Sequence, residues 1–255
     1  MPNLGLSTGI TRSGTVTPGI VTDSLVLKHN YAAGGVVPVS DGAADINADA
    51  AANEYVDVGT IEITTNDVSM SAWVYVTAHV DNAAIIVNRH ASGDNQGIGL
   101  RVDSGNQRFE VIIDEATSGA RDDGDDLYNL NQWYHVCGVW DRDDKQYLYV
   151  NGVLNDSGDI TAYQDSLTHT TNVFIGKNQA SAEFRGYICN IGYWNEALTQ
   201  AQIKSIMWKN YAGLTSSETT NLVSWWNLDT ETNTSGEAGT GGVKDSHGTN
   251  HGTLT

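Results

Sequence analysis

Apolar residues in this chain recur on a two-residue period, in short runs broken by Gly, Asn, Asp and Ser. That period marks β-strands, whose side chains alternate between the two faces of a sheet. The run from Trp133 to Trp140 is largely apolar at both parities, as expected of a strand lying between two layers. Charged residues 141 to 145 end it. Gln146 to Val150 follows, with Leu148 and Val150 on one face and Tyr147 and Tyr149 on the other. Asn151-Gly152 then predicts a tight hairpin, because a type I′ turn needs positive φ at both central residues. Val153-Leu154 begins the return strand. Upstream, Ser24 to Tyr31, Val68 to Val76, Ala84 to Arg89, Gly97 to Asp103 and Gln107 to Asp114 read as further strands. Residues 32 to 53 and 118 to 126 are rich in Gly, Ala and Asp and read as loops. One helix is predicted, from about Gln200 to Tyr211. Thr199 and Gln202 suit a capping box, Ile203, Ile206, Met207 and Tyr211 make an apolar stripe, and Gly213 is a natural stop. The predicted class is all-β, with antiparallel strands and one short helix.

Several of these pieces stand in a telling order. A Trp-x-His-Val strand at Trp133 leads to the hairpin ending Tyr149-Val150-Asn151-Gly152. Ile175-Gly176 comes next, and then Gly186-Tyr187-Ile188 runs on to Asn195-Glu196-Ala197-Leu198-Thr199, where the last strand enters the helix. Asp41-Gly42 with Glu54 to Val58, and the strand from Val68, precede them. Together they resemble the laminin-G-like branch of the concanavalin A-like jelly rolls. The resemblance implies a two-sheet antiparallel jelly-roll sandwich over residues 23–214. Residues 1–22 hold isolated Leu4, Leu6, Ile10, Val16, Ile20 and Val21 among Gly, Ser, Thr and Pro. Such a segment cannot build a core alone. It reads as an extended N-terminal arm, either a tether or a strand added to a neighbour's sheet edge. Residues 215–255, with Leu222-Val223-Ser224-Trp225-Trp226, resemble the opening of another such module. They are either a permuted strand completing the first sandwich or the start of a second module.

Charge narrows the partners. Lys and Arg total 13 against 31 Asp and Glu, a net charge of −18. That balance repels phosphate backbones and anionic membrane surfaces, so neither nucleic acid nor membrane insertion is expected. The two cysteines, Cys137 and Cys189, sit in apolar strand patterns and read as buried thiols. The N-terminal residues lack a basic stretch and an apolar core, so no secretory signal is read there.

Three chemistries compete. A glycosidase of this fold would carry alternating carboxylates on one strand. In Glu110-Val111-Ile112-Ile113-Asp114-Glu115, Glu110 and Asp114 share a face, but Ile112 holds the middle position, so the helper carboxylate is missing. No Gly-x-Ser-x-Gly elbow is present. His135 reads as a core histidine, and His247 and His251 as loop residues. Calcium is the expected cofactor: Asp122, Asp123, Asp125 and Asp126 supply hard oxygen ligands around Gly124, and Asp81 with Asn82 form a second candidate. Carbohydrate binding needs exposed aromatic faces beside polar groups. Trp140, Tyr147, Tyr149, Tyr163, Trp225 and Trp226 are the candidates in number, although most aromatics in a sandwich belong to its core.

The function expected is therefore non-enzymatic. Similar modules with a Thr-Gly-Ser leader occur among bacteriophage structural proteins. That resemblance implies a virion surface protein of the capsid-decoration or fibre type. Its expected partners are neighbouring virion subunits, a homo-oligomer and a cell-surface glycan. The alternatives are a secreted, extracellular adhesin or carbohydrate-binding module and, on fold analogy alone, a glycoside hydrolase.

Overall fold

The computed structural model describes residues 37–40, 42–47, 54–89, 96–103, 105, 107–115, 118–168, 170–178, 182–229 and 242–255. The expected arm at 1–22 and the strand at Ser24–Tyr31 lie outside them. In chain order the strands are β1 (Ala44–Asn47), β2 (Val56–Asp57), β3 (Val68–Val76), β4 (Ala83–Arg89) and β5 (Gly97–Asp103). Then come β6 (Arg108–Glu115), β7 (Ser118–Asp123), β8 (Trp133–Trp140), β9 (Lys145–Val150) and β10 (Val153–Asp159). The last are β11 (Phe174–Ile175), β12 (Arg185–Trp194), β13 (Leu222–Trp226), β14 (Gly242–Val243) and β15 (Gly252–Leu254). The helix α1 (Gln200–Ile206) follows β12.

Two antiparallel sheets form the expected sandwich. The first runs β1-β12-β3-β8-β9-β10, with β13 beside β12 as well. The second runs β14-β15-β2-β11-β4-β5-β6-β7. Met70, Val74, Val136, Leu148, Ile188 and Tyr193 of the first sheet meet Ile86, Ile98, Leu100, Val111 and Ile113 of the second in one buried core. The Trp140 indole crosses between the sheets and donates to the Ile112 carbonyl at 3.0 Å. A second cluster lies on the outer face of the first sheet. There Ile203 and Ile206 of α1 cover Cys137, Val139, Tyr149, Trp194 and Trp225.

Local chemistry explains most of these elements. Asn151 and Gly152 both have positive φ, 51° and 73°, as the hairpin turn requires. Thr199 and Gln202 form the capping box of α1. The helix is shorter than its apolar stripe predicts, because Met207 is already its C-cap and Tyr211–Gly213 form a separate 3₁₀ turn. The Trp73 indole donates to the Met207 carbonyl at 2.8 Å, fixing that end. Beyond it, Lys209 reaches Glu218 at 2.6 Å and 2.7 Å, while Ser205 and Thr215 also donate to that carboxylate. Burial pushes the Glu218 carboxyl up, but these donors outweigh it and hold it down to about 2.

Two expected loops contain strands. Within 32–53, β1 pairs with Arg185–Ile188 of β12, and Ile46 is fully buried. Its side chain lies against the Cα of Gly176, where a Cβ would meet it at 3.0 Å. Within 118–126, β7 pairs with β6 from Glu115↔Ser118 to Glu110↔Asp123. Gly119 stands opposite Asp114 and leaves room for that carboxylate, which a Cβ would meet at 2.1 Å.

Residues after 214 add to both sheets: β13 pairs with β12, and β15 pairs with β2. Asp245 ties this polar segment down by accepting from the backbone N–H of Trp225, His247, Gly248 and Asn250 at 2.9–3.1 Å. His247 and His251 turn to different partners, the Tyr211 hydroxyl and the Asp245 amide.

Candidate functional site

Most of the aromatics singled out in the sequence are anchors. Trp140, Trp225 and Trp226 are essentially fully buried. The Trp225 indole donates to Asn227 and the Trp226 indole to the Asn250 carbonyl. Tyr149 lies in the cluster under α1, the Tyr163 hydroxyl donates to the Gly119 carbonyl, and the Tyr147 hydroxyl donates to Asp144.

A different set reaches the outside. Tyr187 of β12, Tyr75 of β3 and Trp133 of β8 are direct partners in register across three adjacent strands. They point to the outer face of the first sheet and are half-buried. Their ring centroids lie 5.7 Å and 5.5 Å apart, tilted by 61° and 59°. One row along the sheet, Trp73 and His135 pair in the same way, and Trp208, 50% exposed, leans on Trp73 with centroids 5.9 Å apart. Asp45 of β1, exposed, stands opposite Tyr187 at the end of the row. The row thus combines aromatic faces and edges with a carboxylate acceptor. Its tilt denies a flat plane, so it suits single ring-shaped polar ligands better than an extended flat surface.

His135 beneath this face is almost fully buried and packs edge-on to Trp73 at 5.5 Å. Burial pushes its imidazole down to about 3, so it stays neutral. Burial likewise pushes the Cys137 thiol up and the Cys189 thiol up to about 12, which makes both inert.

A cleft of about 310 Å³ opens between residues 126–128 and the β9–β10 hairpin. Phe109, Tyr128 and Tyr134 floor it, Leu127 and Val153 rim it, and Asp126 and Asn155 supply its polar edge. The Asn155 amide donates to Asp126 Oδ2 at 2.9 Å. Burial, with Asp103 nearby, raises the Tyr128 phenol to about 12, and its oxygen sits 2.9 Å from His79 Nδ1.

The predicted calcium ligands do not converge on one point. Asp122 and Asp123 lie in β7 and not in a loop. Asp122 turns toward Gln146, which donates to it at 2.5 Å, and fills the space left by Gly158. Burial raises its carboxyl, and Asp156 and Asp123 add to this against the Gln146 hydrogen bond. Asp126 is held by Asn155, and Asp125 is exposed. Asn82, at φ 57°, donates its side-chain amide to Asp81, and its carbonyl accepts from Asn178. Among the described residues no three His, Cys, Asp or Glu gather at one point.

Residues 49–204 match the concanavalin A-like lectin/glucanases superfamily, more than half of the chain. The chain belongs to this superfamily. It is similar to a candidate carbohydrate-binding protein from Bacteroides ovatus, at 21% identity and a TM-score of 0.61, covering 80% of this chain and 56% of that one. It is also similar to a heptameric SAP-like pentraxin from Limulus polyphemus, at 19% identity and a TM-score of 0.52, over 66% and 80% of the two chains. Over 99 residues it is 24% identical to a botulinum-like toxin from Enterococcus, covering 39% of this chain and 8% of the toxin. The chain thus spans a small part of that toxin and about half of the Bacteroides protein.

In this member of the superfamily the shared-face carboxylates of β6 are engaged by cations. Glu110 pairs with Arg101, and Asp114 pairs with Arg89 at 2.8 Å. Arg121 lies 3.9 Å from Glu110 and 3.7 Å from Asp114, while Ile112 stands between the two acids. Burial raises the Glu110 carboxyl, opposed by its bond to Arg101. A glycosidase acid must deliver a proton and its partner must stay free for attack. Here both carboxylates already neutralise arginines.

Proposed function

We propose that this chain is a non-enzymatic glycan-binding module whose sugar-stacking surface is the row Tyr187–Tyr75–Trp133 with Trp208. The half-buried aromatic row carries the reading. Buried aromatics need no explanation in a sandwich, but a row left half open to water on three paired strands does. Its tilted rings suit individual pyranose units, with Asp45 placed to accept from their hydroxyls. The arginine-locked carboxylates support binding without hydrolysis, and superfamily membership with the likeness in fold to the Bacteroides protein supports a glycan as ligand. As its setting we propose the virion surface implied by the resemblance to bacteriophage structural proteins.

A glycan array, followed by calorimetry on the best ligand, tests the reading. Trp133→Ala and Trp208→Ala should each weaken binding about tenfold, near 1.4 kcal/mol, while leaving the fold intact. No binder on the array, or full affinity in both variants, would remove the row from the function. Immunogold labelling of particles tests the setting.

A further inference from the structure

The cleft between residues 126–128 and the β9–β10 hairpin has a different chemistry from the aromatic row. Among the described residues, six large hydrophobics are exposed, and two of them, Leu127 and Val153, meet here. Leu127 and Val153, each 60% exposed, form its rim. Among the described residues that line it, Asp126 is the one charged side chain, with no Lys, Arg or His. The whole chain carries −18, which strengthens the field toward a cation.

We propose that this cleft docks a lysine side chain from a partner protein, with its ammonium on Asp126 and its methylene stem against Leu127 and Val153. The apolar rim argues for a protein segment, because exposed hydrophobics clustered around a polar centre are the pattern of a partner surface. The carboxylate fixes the sign of the residue that enters. The bond that Asp126 already makes favours an ammonium over a guanidinium. Asp126 Oδ2 already accepts from Asn155 at 2.9 Å, so one acceptor position of the carboxylate is taken. A guanidinium prefers both oxygens of a carboxylate in a fork, whereas an ammonium is satisfied by one. A four-carbon stem then lies along the rim with its charge at the edge of the cleft. This inference does not rest on the glycan reading.

The test uses three short peptides, identical but for a central lysine, arginine or norleucine, titrated into the full chain. Amide shifts are followed by NMR at Asp126, Leu127 and Val153. Norleucine keeps the stem and removes the charge. The lysine peptide should saturate those shifts, the norleucine peptide should bind about fivefold more weakly, the upper range of a solvent-exposed ion pair, and the arginine peptide should fall between the two. Asp126→Asn should erase the preference for lysine over norleucine while leaving the melting temperature unchanged, since Asp126 is exposed. Equal binding of lysine and norleucine peptides would overturn the proposal. So would the absence of shifts at these three amides at millimolar peptide, or an unchanged preference in Asp126→Asn.

Discussion

His135 makes the stability of this protein sensitive to mild acid. Its imidazole is 2% exposed, packs on Trp73, and has no partner for Nδ1. Burial lowers its pKa from 6.5 to about 3 in the folded chain. In the unfolded chain it titrates near 6.5. Between those values the unfolded state binds a proton that the folded state refuses, so stability rises with pH in this window and falls on acidification. From about pH 7 to about pH 5 the unfolded state gains some 1.5 units of protonation free energy, or about 2 kcal/mol. His135→Gln removes the titrating group while keeping a neutral side chain. Urea unfolding of both proteins at the two pH values isolates the effect. Contributions from the carboxyls that burial raises, Asp122 and Glu110, are present in both proteins and cancel in the difference. The native protein should lose about 2 kcal/mol more than the variant on going from pH 7 to pH 5. Equal losses in the two would mean that the imidazole is hydrated or protonated in the folded state, and would refute the burial argument.

Two further outcomes follow from other contacts. Lys209→Met strands the Glu218 carboxylate, whose side chain is 7% exposed, and should cost about 2 kcal/mol; this is less than for a fully buried pair because Lys209 is partly wet. The depressed Glu218 carboxyl contributes stability above its unfolded value of 4.5 that is lost as pH falls toward about 2, so the variant should show a smaller loss in that window by thermal melting. Calcium and chelator should give superimposable melting curves, because the acidic residues do not form one ligand set; a rise in melting temperature with calcium would show that a site exists.

The elements legible in the sequence are those set by neighbours in the chain. Asn151-Gly152 and the Thr199–Gln202 box act within a few residues, so their chemistry shows in the string itself. Strands β3, β5 and β6 carry clear apolar parity, and β8 is apolar almost throughout. The strand β7 hid because its residues are Ser, Gly, Ala, Arg and Asp, and only the partner strand β6 supplies the opposite charges that seat it. The acidic residues there looked like a ligand cluster because spacing along the chain says nothing of which face each carboxylate takes. The aromatic row was hidden for a related reason. Residues 187, 75 and 133 meet only through the register of β12, β3 and β8. Each alone looks like one more core tyrosine or tryptophan. Trp208 carried a weak signal, standing beside Met207 within the span of the apolar stripe but outside its period.

The way the last residues complete both sheets has a consequence for how the chain is made. β1 waits for β12, and β2 is flanked by β11 and by β15 at the far end of the chain. Emerging N-terminal strands therefore have no lasting partner during synthesis, and the sandwich closes only after residue 254 is free. Pairings of such long sequence separation make folding slow, since loop closure precedes the contacts that reward it. During that interval the edges of β2 and β12 stay open to other chains. A high negative charge serves a nascent chain in that state, because it keeps unfinished copies apart until β15 has joined its sheet.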